Sequence, residues 1–324
     1  MKRKLLCICL GGVALLAGAG SARADGLPVL GVDAGPTGVV NASGDARAVT
    51  MPAGGNTVVA WVQVGGGQIL RSTVLPGTFT IPAVAYDGSA SGLSGDGATL
   101  MLISPRMTFP RKRTPLLQLD AQTLQPTDRV DLRGDFSFDA LSPNGRWLYL
   151  IQYVSPRDPS RYLVRAYDLW YRRLLAAPVV DPRERGEKMR GAPVTRVASA
   201  DGRWAYTLYD GAGKTPFVHA LDTAARSARC IDLDGLRTRN IWDVRLQLSA
   251  DGRTIGVRER GRRLASIDTR TFAGLTADEG AAPSTPAWRS ALLAAVVLLG
   301  IGVAAALLLR RRRYRTRLSA RIAR

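Results

Sequence analysis

Ser142-Pro143-Asn144-Gly145-Arg146-Trp147-Leu148-Tyr149-Leu150-Ile151 is the stretch whose reading decides the fold. An Asn-Gly pair separates an apolar set on its left (Phe136, Phe138, Ala140, Leu141) from an apolar run on its right. Both residues tolerate the positive φ of a tight turn, so the stretch predicts a β-hairpin. The same phrase returns as Ser94-Gly95-Asp96-Gly97, Ser199-Ala200-Asp201-Gly202-Arg203-Trp204 and Ser249-Ala250-Asp251-Gly252-Arg253. A hairpin repeated about every fifty residues is the mark of a blade architecture.

Working outward, a second strand follows each turn: Thr99 to Ile103, Trp147 to Val154, Trp204 to Tyr209 and Thr254 to Val257. Trp147, Tyr149 and Ile151 face one way and Leu148 and Leu150 the other, so this strand is to be covered on both sides. A third strand ends in an Asp at 120, 168, 222 and 268, and Thr123, Thr223 and Thr269 follow as turn residues. A fourth, more polar strand comes next in all but the last unit. The earliest unit keeps the rhythm without the Asp-Gly turn: Ala48 to Met51, Thr57 to Val64, Gln68 to Leu75 and Phe79 to Val84. Because nothing after Phe272 reads as a strand, the spare pieces Pro28 to Val32 or Gly38 to Val40 are expected to close the ring beside Leu264 to Asp268.

The pattern Ser-x-Asp-Gly-Arg-x-φ-Tyr, followed by φ-φ-Asp-x-x-Thr (φ an apolar residue), resembles the bacterial propeller repeats of the YVTN, TolB and WD40-like type over residues 46–276. The resemblance implies an all-β propeller of about five four-stranded blades. It implies no particular activity, because such propellers host many functions. Trp242-Asp243 precedes its turn instead of ending the third strand, which departs from the true WD40 pattern.

The ends carry topology. Lys2-Arg3-Lys4, the apolar run Leu5 to Ala19 and Ala22-Arg23-Ala24 make residues 1–24 a signal peptide. Residues 25–276 are the extracytoplasmic domain and 277–290 a linker rich in Ala, Pro, Ser and Thr. Residues 291–309 carry no charge and as a helix would reach about 28 Å, enough for one transmembrane helix. Arg310 to Arg313 open a basic tail, 310–324, expected in the cytoplasm by the positive-inside rule. These two ends hold most of the formal charge of +19, so the basicity is not read as a nucleic-acid footprint. The expectation is a single-pass cell-membrane protein displaying a binding or scaffolding module at the envelope.

Chemistry is sparse. His219 is the only histidine, which rules out a multi-histidine metal centre and leaves one possible triad base. Cys230 would be the lone thiol after leader removal. Asp232-Leu233-Asp234-Gly235 is half a calcium loop without its closing Glu. Gly88-Ser89-Ala90-Ser91-Gly92 places Ala90 where a nucleophile elbow needs its nucleophile. No phosphate loop or dinucleotide fingerprint is present, so no cofactor is expected. Asp87, Asp135, Asp139 and Asp243, near the starts of first strands, offer the alternative of a glycosidase-like hydrolase with tunnel carboxylates. The preferred site is a one-sided basic face formed by Arg106, Arg111, Lys112 and Arg113 with Arg258, Arg260, Arg262 and Arg263. It would attract an envelope polyanion or an acidic protein.

Overall fold

The computed structural model describes residues 38–276 except 185, 187 and 188. The expected leader, membrane-spanning run and basic tail lie outside these residues. Among the described residues no helix is long and apolar enough to cross a membrane.

The described chain is all-β, with five antiparallel sheets in sequence order. Sheet one holds β1 (Val39–Val40), β2 (Ala46–Ala53), β3 (Asn56–Gln63) and β4 (Ile69–Pro76). Sheet two holds β5 (Thr99–Ile103), β6 (Arg113–Asp120) and β7 (Pro126–Arg133). Sheet three holds β8 (Phe136–Leu141), β9 (Trp147–Tyr153), β10 (Tyr162–Asp168) and β11 (Arg173–Pro178). Sheet four holds β12 (Pro193–Ala198), β13 (Trp204–Tyr209), β14 (Phe217–Asp222) and β15 (Ser227–Asp232). Sheet five holds β16 (Val244–Leu248), β17 (Thr254–Glu259), β18 (Arg262–Asp268) and β19 (Gly274–Thr276). Each is a meander whose neighbours in sequence are neighbours in space.

The repeated phrase builds one turn four times. In the founding copy Gly145 N–H donates to Ser142 C=O at 2.9 Å. Ser142 Oγ accepts from Trp147 N–H at 2.9 Å and bonds Asn144 at 2.9 Å. Gly145 sits at φ 68°, and a Cβ there would meet Thr99 Oγ1 of sheet two at 2.7 Å. Only glycine satisfies both the backbone conformation and that close approach.

The Asp that ends each third strand organises a second turn. Asp268 Oδ1 accepts from Arg270 N–H and Thr271 N–H at 2.9 and 2.8 Å, and Asp222 Oδ1 from Ala224 N–H and Ala225 N–H at 3.0 and 2.9 Å. The residue four places on has positive φ in every copy: Leu124 60°, Arg172 52°, Arg226 58° and Phe272 58°. None is glycine. The side chains are used: Leu124 is buried in the cluster against which Trp61 packs, Phe272 lies 5.2 Å from the Trp204 ring, and Arg226 lies 4.3 Å from the Trp147 ring. Three of the four thus bolt their sheet to the tryptophan of the sheet before it, while Arg172 of sheet three reaches Asp128 of sheet two instead.

Apolar clusters join successive sheets. Ala48, Val59 and Leu75 pack on Leu100 and Leu117. Ile103 and Leu116 pack on Phe136, Leu148 and Leu150. Tyr149 and Val164 pack on Ala205 and Leu221. Tyr206 and Val218 pack on Leu246, Ile255 and Ile267. β9 is therefore covered on both faces, as its sequence requires. The two end faces stay in contact with solvent. Sheet one shows Met51 (42% exposed) and Val74 (62%), while sheet five shows Arg245 and Gln247.

Two expectations are corrected. Sheet five supplies its own fourth strand, β19, with Ala265 opposite Thr276 and Ile267 opposite Gly274. Val39 and Val40 pair instead with Ala48 and Arg47 of sheet one, so that piece does not close the ring beside 264–268. Phe79 to Val84, read as a strand of the first unit, crosses to sheet two, where Thr80 bridges Ile103. The chain then reaches across to the later sheets. Tyr86 N–H and Asp87 N–H donate to Pro193 and Val194 of sheet four at 2.9 and 3.2 Å, and Tyr86 meets Trp242, ahead of sheet five, edge-on at 5.3 Å. Pro82 cannot donate to a ladder, which suits a crossing segment better than a strand.

Candidate functional site

The eight basic residues expected to form one face fall into three settings. Arg106 and Arg111 are buried. Arg106 donates to Asp135 Oδ1 from Nε at 2.9 Å and lies within 2.8 Å of it through Nη2. It also donates to Ser137 Oγ at 2.9 Å and stacks 4.5 Å over the Tyr153 ring. Arg111 gives its backbone N–H to Asp135 Oδ2 at 3.0 Å, and its guanidinium to Ser104 C=O at 2.7 Å and to Phe136 C=O. Burial pulls its pKa down to about 10, Arg106 adds to the effect and Asp135 opposes it. These two arginines present no charge to a ligand; they knit the loop after β5 to the start of β8.

Lys112, at the end of the same loop, and Arg113, the first residue of β6, are exposed, with Arg113 held by Asp131 at 2.9 Å. Arg258, Arg260, Arg262 and Arg263 belong to the β17–β18 hairpin. Arg260 and Gly261 form its two-residue turn with φ 48° and 85°, as a type I′ turn requires. Glu259 and Arg262 flank the turn, with Arg262 Nη2 donating to Glu259 at 3.4 Å.

An open depression of about 560 Å³ lies on the outer face of sheet five, lined by Asp243, Arg245, Leu246, Gln247, Arg258, Arg260 and Gly261. Arg245 is held by Trp242 C=O and Val244 C=O, both at 2.8 Å, with Asp87 at 3.9 Å. Arg258 donates to Gly261 C=O at 3.0 Å. Arg260 reaches Asp243 Oδ2 at 2.6 Å, and this carboxylate raises the Arg260 pKa. Three guanidinium groups against one carboxylate make the depression electropositive. Of the expected set it gathers Arg258 and Arg260, while the lining includes neither the 106–113 loop nor Arg262 and Arg263. Arg245 and Gln247 were missed. Their signal is the alternation Val244-Arg245-Leu246-Gln247-Leu248, which marks a strand with one wet face.

The carboxylates considered for hydrolysis are bound into the frame. Asp135 serves Arg106 and Arg111. Asp139 bonds Arg196, although its Oδ2 has no partner. Asp243 holds Arg260, and Asp87 accepts from Ser89 Oγ at 2.6 Å. A small cavity of about 20 Å³ beside Asp139, Tyr153, Tyr162 and Tyr209 is room for one water, not for a sugar ring. Asp181, Glu184 and Cys230 come together, with Asp181 engaged by Arg183 at 2.6 Å and by Cys230 N–H at 2.9 Å.

These features define an all-β repeat protein of five antiparallel sheets with a basic depression on the last. No protein-family model matches the chain, and no curated protein matches it either. Solved structures do. Hydrazine synthase of Kuenenia stuttgartiensis is 21% identical over 58% of this chain and 48% of its own, with a TM-score of 0.35. TolB of Acinetobacter baumannii is 14% identical over 74% of this chain and 53% of its own, with a TM-score of 0.42. The β-propeller domain of Cps50 (Swd1) from Myceliophteria thermophila is 12% identical over 79% of this chain and 71% of its own, with a TM-score of 0.42. The chain spans about half the length of the first two. Likeness at this level speaks to the fold alone, and the fold described above rests on strand pairing rather than on it.

Proposed function

We propose that the protein is a membrane-anchored extracytoplasmic binding module that takes an anionic envelope polymer or acidic protein in the sheet-five depression. The observation that carries this is the convergence of Arg245, Arg258 and Arg260 on one open hollow with Asp243 as its single lining acid. Such a hollow raises the local concentration of anions and steers their approach. The sequence supports the anchorage through the leader, the uncharged run 291–309 and Arg310 to Arg313.

Polyglutamate and polyphosphate serve as probes for the full chain. Affinity is expected to fall with salt, since screening at 0.15 M acts over about 8 Å. Arg245→Glu with Arg260→Glu, both exposed side chains, is expected to weaken binding at least about tenfold, or ~1.4 kcal/mol. Arg113→Glu, at the start of β6 and away from the depression, is expected to leave it within about twofold. Binding that ignores salt, or ignores the double reversal, sinks this assignment.

Topology has its own test. Protease added to intact, wall-stripped cells is expected to remove residues 25–290 and spare the tail. A cut tail beside a surviving domain would reverse the orientation. β19 runs back from the Asp268 turn, so the described chain ends heading toward the side of the β17–β18 hairpin. The linker's fourteen residues can extend about 46 Å, so this exit does not fix which side meets the membrane.

A further inference from the structure

The internal repeat shows what the Asp turn needs and what it does not. At the second and third places after the Asp, sheet two uses Gln122-Thr123, sheet four Ala224-Ala225 and sheet five Arg270-Thr271. Sheet three uses Trp170-Tyr171 in the same turn, where both backbone N–H groups donate to Asp168 Oδ1 at 3.0 and 3.2 Å. The turn is thus built equally well from small or polar residues. Yet Trp170 is 64% exposed and Tyr171 70% exposed. Two large aromatic side chains stand in water at a place where the fold asks for neither.

Their surroundings are cationic. Arg146 lies 4.7 Å from the ring centroids of both Trp170 and Trp147 and is steered by Asp168 at 3.0 Å. Arg173 lies 6.0 Å from the Tyr171 ring, and Arg226 from the next sheet lies over Trp147. Arg172, at the tip, is 62% exposed and reaches Asp128 at 2.8 Å. The aromatic pair is therefore an exposed tip ringed by guanidinium groups.

We infer that this β10–β11 turn docks on an anionic lipid surface, with Trp170 and Tyr171 at headgroup depth and the arginines on lipid phosphates. Trp and Tyr sit at membrane–water boundaries because each has an apolar body and a polar tip. Each arginine close to an anionic headgroup layer adds roughly fivefold to partitioning. Reach also favours lipid. The fourteen-residue linker extends about 46 Å, and a domain of this size is roughly 45 Å across. Any side of the domain is then held within touching distance of the bilayer, at an effective concentration of order millimolar, where a small patch suffices. This last step rests on the anchorage proposed above; the turn's chemistry does not.

The test uses the full chain in phosphatidylcholine vesicles with about 30 mol% phosphatidylglycerol, part of the lipid being brominated high in the acyl chain. Wild type is compared with Trp170→Gln plus Tyr171→Thr, which copies the sheet-two turn and so keeps the fold. Wild-type tryptophan fluorescence is expected to be quenched, and at least about half of the quench is expected to vanish in the double variant, the remainder coming from Trp288, which the sequence places just before the uncharged run 291–309. The difference is expected to shrink in pure phosphatidylcholine and at high salt. Equal quenching in the two chains, or a difference indifferent to phosphatidylglycerol, overturns the inference. So does a Trp170 signal that responds to polyglutamate and not to vesicles, which would assign the turn to a protein partner. Alkaline extraction of both chains reads the anchor separately. If both come off the membrane, the anchorage fails, while the quench difference on added vesicles still decides the lipid surface.

Discussion

Asp135→Ala is expected to cost about 3–5 kcal/mol of stability, the range for removing one partner of a buried ion pair. Asp135 and Arg106 side chains are each 1% exposed and Arg111 is 8% exposed. The carboxylate takes hydrogen bonds from Arg106 Nε and from the Arg111 backbone, so its loss orphans two cations and an N–H together. Water cannot replace it without opening the junction of sheets two and three, where Phe136 and Phe138 are 1% exposed. A fall in melting temperature on the order of 10 °C should follow for a domain of this size. Asp131→Ala is the matched control. Its partner Arg113 is 55% exposed, and exposed pairs contribute about 0–1 kcal/mol. Thermal unfolding of the two variants beside wild type checks this. Equal small losses would mean that Arg106 and Arg111 find other partners or water, and that the Asp135 network does not hold the junction.

The sequence alone carried the repeat because its signals are local. Ser-x-Asp-Gly and the Asp that closes each third strand act within five residues, through side chain to backbone bonds that composition makes plain. β1 and β19 were missed or misplaced for the opposite reason. Two or three residues have no period to detect, and Gly274–Thr276 is defined only by pairing with Ala265 to Ile267. The basic face failed in part because charge is visible in a sequence and burial is not. Arg106 and Arg111 look like their exposed neighbours Lys112 and Arg113, but their partner Asp135 lies more than twenty residues on. Arg245 was legible in principle, since alternation over 244–248 implies a bare face on the last sheet. Trp170 and Tyr171 were legible too, but only by comparing the four Asp turns with one another, which requires the repeat frame first.

Acid sensitivity should come from one residue over a definite range. His219 lies on β14 opposite Thr207 and Cys230, is 1% exposed, and leaves Nε2 without a hydrogen-bond partner. Burial holds its pKa down to about 4, and Arg196 lowers it further while Asp139 acts the other way. The unfolded chain binds this proton near pH 6.5, so between about 6.5 and 4 the unfolded state is protonated and the folded state is not. Stability from His219 is therefore full above pH 6.5 and is lost as pH falls through that range, on the order of 3 kcal/mol in total. The carboxylates act lower. Asp181, engaged by Arg183 and by backbone donors, titrates at about 2, and Asp168 and Asp222 are also shifted below the usual carboxylate pKa. Their contributions are kept until the pH falls below about 4; Asp232, raised by burial, acts above that point with the opposite sign, so the loss of stability in that window falls to His219. His219→Phe keeps the ring against Tyr209, now 6.3 Å away edge-on, and removes the titrating group. Its melting temperature is expected to stay nearly flat from pH 7 to 4.5, while that of the wild type falls steadily. Parallel pH profiles for the two proteins would show that His219 takes up its proton in the folded state, and that the acid loss originates elsewhere.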